Sequence, residues 1–91
     1  DVTVQLKEAV SVEQVNTLLK DAAENELNGI LAFTQEPHAS VDFNHDPHSG
    51  VVDATQTRVS DGSLVKLMIW FDNEWGFANR MLDTAMQLKN I

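Results

Sequence analysis

The chain contains no cysteine. That absence removes disulfides, thiolate metal sites and any cysteine nucleophile from these residues, and leaves the redox compartment open though compatible with cytoplasm. Glycine is scarce and scattered: the four, Gly29, Gly50, Gly62 and Gly76, form no cluster. No phosphate-cradling loop or dinucleotide fingerprint can be built from them. Apolar runs stop well short of the ~20 residues of a helical membrane span. Basic residues are also few, 6 against 14 acidic, for a net charge of −8. Such a balance repels nucleic-acid backbones and anionic membrane surfaces. The opening Asp1-Val2-Thr3-Val4 has neither the basic start nor the long apolar core of a signal peptide, so a soluble, intracellular-type segment is expected. It also lacks Met and starts inside a strand pattern, which reads as a fragment of a longer protein.

At 91 residues the chain is one small domain with a modest core. Val2, Val4 and Leu6 alternate with polar residues as in a half-buried strand. Ser11 and Gln14 form a capping-box pattern, and the apolar spacing from Val12 onward predicts a helix over 12–24. Ile30 to Phe33 reads as a short strand stopped by Glu36-Pro37, and Ala39, Val41 and Phe43 alternate as a further strand. The run Asn44 to Gly50 is dense in turn formers and reads as a loop. Val51 to Val59 and Leu64 to Phe71, joined at Asp61-Gly62, predict a hairpin whose second strand is central and covered on both faces. A final helix is expected over 74–89, with apolar residues spread too widely for one narrow stripe. The pattern β-α-β-β-β-β-α predicts an α+β fold, a mainly antiparallel sheet with two helices.

Candidate chemistry concentrates in two places. The loop Asp42 to His48, with Asp53 nearby, gathers carboxylates and the pair His45-x-x-His48. Two imidazoles at that spacing can share a metal, but an intervening Pro and the weak specificity of the spacing favour Asx turns instead, and no metal ligand is assigned. Asp42, Asp46 and Asp53 are the carboxylates from which an acid/base pair would be drawn, and sequence gives them no common geometry. Arg58 reads as a surface ion pair, and Arg80 as a helix-surface partner of Glu74 or Asp83. The second place is Trp70-Phe71-Asp72-Asn73-Glu74-Trp75-Gly76-Phe77-Ala78-Asn79-Arg80, where an apolar strand ends and a helix starts. Asp and Asn there are ordinary capping residues; an Asn also offers a donor face and an acceptor face suited to another carboxamide.

That junction resembles the C-terminal signature of the phosphorylating aldehyde dehydrogenases typified by glyceraldehyde-3-phosphate dehydrogenase. Further matches are Asn28-Gly29-Ile30-Leu31, Val41-Asp42-Phe43-Asn44 with Asp46, His48 and Ser49, then Asp53-Ala54 and Val65-Lys66-Leu67. Within the family, 42–49, 55–60 and 77–84 are most similar to the erythrose-4-phosphate branch. The resemblance implies a homotetrameric NAD enzyme acting on a sugar phosphate, in which a cysteine attacks the aldehyde, hydride passes to NAD and the thioester is resolved by water or phosphate. It implies that residues 1–72 are the C-terminal part of the catalytic domain, and that 73–91 form a helix returning to an NAD-binding domain. No catalytic residue of the family maps onto this chain. One cofactor contact does: Asn73 is similar to the Asn that holds the nicotinamide carboxamide. Phe77 departs from the Tyr of many glyceraldehyde enzymes and lacks its hydroxyl. The alternatives are the glycolytic branch, or a non-enzymatic interaction or assembly module. Cut off from its partner domain, the last helix is expected to pack on its own sheet or on another copy.

Overall fold

The structure, a computed structural model, describes residues 1–36 and 40–89. Among these residues six strands and two α-helices follow one another: β1 (Val2–Gln5), α1 (Val12–Glu24), β2 (Leu31–Thr34), β3 (Gly50–Asp53), β4 (Arg58–Ser60), β5 (Leu64–Leu67), β6 (Ile69–Trp70) and α2 (Asn73–Lys89). They build two three-stranded sheets, ordered β1-β5-β4 and β2-β3-β6. Every pairing is antiparallel except β2 with β3. This is the expected α+β class with two helices. The one parallel pair needs the long connection through Asn44–Ser49 to bring the chain back to the same end of the sheet.

Helix α1 has the bounds its sequence gives it, because both ends are set locally. The Ser11 hydroxyl accepts from the Gln14 N–H at 3.1 Å, and the Gln14 side chain accepts from the Ser11 N–H at 2.8 Å. Two of the four N–H groups a helix start leaves orphaned or exposed are thereby paired. The turn between β4 and β5 runs through Asp61 and Gly62 with φ of 53° and 77°, the left-handed conformation a tight hairpin demands.

Four expectations are corrected. Residues Ser40–Phe43 form a 3-10 turn rather than a strand, because the chain reverses at once, the Phe43 carbonyl accepting from the Asp46 N–H at 3.1 Å. Ala39 of that expected strand, and Pro37 expected to stop the preceding one, lie outside the described residues. The Val51–Val59 run is divided: β3 ends at Asp53, whose carboxylate accepts from the Thr55 N–H at 3.0 Å and caps a 3-10 turn over Ala54–Gln56. A short acidic side chain bonding to backbone two residues on competes with the sheet ladder. The apolar run from Leu64 is likewise shared between two sheets, parting at Met68, whose carbonyl accepts from the Asp53 N–H at 2.9 Å. Strand β5 is central, as expected, but not covered on both faces: Val65 is buried while Lys66 points to solvent.

The core is small and rich in valine: Val15, Phe43, Val51, Val52 and Val65 are buried, with Val52 at 0% exposure. Buried Thr57 donates to Asn16 at 2.7 Å and thereby ties α1 to the segment between the sheets. We expect Ser11→Ala to cost about 1 kcal/mol of stability by removing the cap, read as a lower urea midpoint at unchanged m-value. An unchanged midpoint would show that tertiary contacts alone fix the start of α1.

Candidate functional site

The junction between β6 and α2 is assembled around one carboxylate. Asp72 stands just before α2; its Oδ1 accepts from the Trp75 N–H at 2.9 Å, the bond of a helix N-cap. Its Oδ2 accepts from the His45 N–H at 3.0 Å, on a loop 27 residues earlier. One side chain therefore starts the helix and anchors the Asn44–Ser49 loop to it. Both bonds favour the charged form, so the Asp72 carboxyl is held below its ordinary value of 3.8, first by the Trp75 N–H and next by that of His45, with slight desolvation working against them.

Other contacts complete the clamp. His45, at φ 60°, turns its ring edge-on to Trp75, with centroids 5.0 Å apart and planes at 73°. Gly76 is buried where the helix crosses the loop; a Cβ there would lie 2.9 Å from the His48 carbonyl oxygen. One turn on, Arg80 donates to the Ser49 hydroxyl at 3.2 Å and pairs with Asp83 at 2.9 Å. The loop itself is anchored just ahead of β2 by the Ser49 N–H on the Ile30 carbonyl at 2.7 Å. Beneath the junction, Trp70 stacks on Phe43 with centroids 5.3 Å apart and planes at 10°, and its indole N–H donates to buried Asp53 at 3.1 Å.

Asn73 is the first residue of α2 and is exposed. The cap is Asp72, so the Asn73 carboxamide is not consumed by the helix end, and it makes no hydrogen bond among the described residues. In its histidine loop, Asp46 accepts from the His48 backbone N–H at 2.9 Å, the Asx turn that composition favours, and its same oxygen lies 2.7 Å from His48 Nδ1. His45 is engaged with Trp75, and among the described residues no cluster of three or more His, Asp or Glu side chains is arranged for a metal ion. Of the three carboxylates weighed for acid/base work, Asp46 is held by His48 and Asp53 by Thr55 and Trp70, while Asp42 is exposed. Arg58 is corrected: it donates to the carbonyls of Thr55 and Thr57, at 3.2 and 2.9 Å, and so latches a backbone turn instead of a carboxylate. The Arg80–Asp83 pair is as expected; the Ser49 contact is not, and no spacing rule reaches across 31 residues to find it.

Two outcomes are expected of this clamp. In an exposed helix Gly→Ala stabilises by up to about 1 kcal/mol, but Gly76→Ala should reverse that sign and cost about 1–2 kcal/mol, since the added methyl meets backbone rather than a movable side chain. A rise in thermal midpoint would refute the close approach. For Asp72 the folded-state pKa is depressed, so its contribution is complete above the unfolded value of 3.8 and is lost as pH falls through the lower folded value. Asp72→Asn should therefore lower stability at neutral pH and flatten the acid limb of the stability profile; parallel profiles would refute the assignment.

The comparison with known families bears on all of this geometry. A family model described as glyceraldehyde 3-phosphate dehydrogenase, C-terminal domain, matches residues 1–73, which include both sheets, α1 and the start of the junction. The chain belongs to the glyceraldehyde 3-phosphate dehydrogenase C-terminal domain family, and hence to a family of oxidoreductases.

Proposed function

We propose that this chain is the C-terminal part of an NAD-dependent sugar-phosphate aldehyde dehydrogenase, and that Asn73 holds the nicotinamide carboxamide. The observation that carries the assignment is the division of labour at the junction. Asp72 performs the capping, which leaves a carboxamide exposed on the first turn of α2 with both its donor and acceptor faces uncommitted. Such a group is complementary to another carboxamide, and the clamp through His45, Gly76 and Arg80 holds the helix turn that carries it. NAD, when bound, supplies the hydride acceptor; Asn73 orients the ring. Phe77 has no hydroxyl to add a polar contact there.

For the substrate we favour D-erythrose 4-phosphate, oxidised to 4-phosphoerythronate on the route to pyridoxal phosphate. Support comes from the resemblance of 42–49, 55–60 and 77–84 to that branch. On this reading residues 1–72 complete a catalytic domain, 73–91 dock on an NAD-binding domain, and the parent is a cytoplasmic homotetramer. The 91 residues alone are inactive, since they hold no cysteine to attack an aldehyde.

In the full-length parent, Asn73→Ala should weaken NAD binding about tenfold, the loss of roughly one well-made hydrogen-bonded pair. Unchanged affinity would remove Asn73 from the cofactor site. Turnover of erythrose 4-phosphate and glyceraldehyde 3-phosphate by the same enzyme decides the branch, and a clear preference for the latter assigns the glycolytic one.

A further inference from the structure

Asn73 is flanked by a closed ring of contacts among three residues, none of which the cofactor reading uses as a ligand. The Asp72 carboxylate accepts from the Trp75 N–H at 2.9 Å through Oδ1 and from the His45 N–H at 3.0 Å through Oδ2. The His45 ring in turn meets the Trp75 ring edge-on, with centroids 5.0 Å apart. Asp72, His45 and Trp75 are thus joined pairwise, and Asn73 lies in the chain between two of them. The Asp72 carbonyl also accepts from the Gly76 N–H at 2.8 Å, so the backbone on both sides of Asn73 is held from one residue.

Capping a helix needs only one of the two carboxylate oxygens. The second reaches a residue outside the helix, in the left-handed region at φ 60°. A non-glycine residue keeps that conformation where its surroundings hold it, and here the bond to Asp72 and the contact with Trp75 do so. From His45 the loop runs through the Asp46–His48 turn to Ser49, whose N–H on the Ile30 carbonyl at 2.7 Å fixes the far end just ahead of β2. The loop is a brace, with one foot beside the sheet and the other on the turn that carries Asn73.

We infer that Asp72 is a positioning residue for the cofactor: its second oxygen, by holding the loop at His45, sets the backbone from which the Asn73 carboxamide meets nicotinamide. This rests on the reading of Asn73 given above. Hydrogen bonds weaken steeply once bent, so a turn free to rock loses part of the contact while keeping the residue that makes it. A group that acts only through Asn73 can cost no more than removal of the Asn73 side chain, about tenfold in NAD affinity, and loss of the brace should cost less, about threefold. The coupling is reciprocal: NAD should hold the His45 N–H on Asp72 by the same factor by which that bond favours NAD.

The test is a double-mutant cycle on NAD affinity in the full-length parent. Asp72→Ser keeps an N-cap but leaves no second oxygen for His45, while the Gly76 and Arg80 contacts with the loop remain to hold the fold. It should weaken NAD binding about threefold, Asn73→Ala about tenfold, and the double variant also about tenfold rather than about thirtyfold. A residue that only supports the fold would multiply its effect with that of Asn73→Ala. Amide exchange needs no change at residue 72: saturating NAD should slow exchange at the His45 N–H of the unaltered enzyme about threefold, and should not do so in Asn73→Ala. Unaffected NAD binding in Asp72→Ser, a thirtyfold loss in the double variant, exchange at His45 indifferent to NAD, or slowing that persists in Asn73→Ala would each overturn the positioning role and leave Asn73 as the cofactor contact. Unchanged affinity in Asn73→Ala is instead the failure of the cofactor reading, and the positioning role falls with it.

Discussion

The two hydrogen bonds accepted by Asp72 govern the geometry of this molecule. One starts α2, the other ties that start to a loop distant in sequence, and the loop is in turn fixed to the beginning of β2 through Ser49 and Ile30. The direction in which α2 leaves the body is therefore referred back to the β2-β3-β6 sheet by a short series of polar contacts. Apolar packing is limited here: Phe77 is exposed, Trp75 keeps 44% exposure beside the His45 ring, and Gly76 passes close to the His48 carbonyl oxygen. Directional bonds define an angle where a greasy contact would allow sliding.

The same design sets the molecule's stability in contrast to its shape. Its buried apolar residues are few and mostly valine, and exposed apolar side chains from Trp75 to Leu88 run along a helix whose contacts with the loop, among the described residues, lie in its first half. With acidic residues outnumbering basic ones, self-repulsion adds to the cost of compaction. A chain so arranged gains more than most from anything that covers α2.

What the sequence made legible follows from the range of the forces involved. Helix α1 could be read to its ends because the Ser11–Gln14 box and the apolar spacing act within one turn. Helix α2 was expected one residue late because Asp, Asn and Glu in succession all suit a helix start, and only the bond to Trp75 singles out Asp72. The breaks at Asp53 and Met68 were hidden for another reason: Val, Thr and Ile suit a strand in either sheet, and membership is decided by which neighbour lies alongside. Phe43 alternated like a strand residue, yet its place is set by stacking on Trp70, far along the chain. At the site, the polar types at the junction were visible, while the links from Asp72 to His45 and from Arg80 to Ser49 were not. Asn73 was singled out by resemblance, because no periodicity separates an uncommitted amide from a capping one.

The shared run from Leu64 to Trp70 ties the two sheets together in a way no loop could. Its first part is the middle strand of one sheet and its last part an edge strand of the other, with Met68 as the only step between them. A tug on either sheet is passed along extended backbone, with almost no slack to absorb it. Fraying of β6 from β3 would therefore be felt at β1 and β4 through β5, which pairs with both. Mechanically the molecule is a single spliced ribbon, and the helix that presents Asn73 is fastened to the end of the splice.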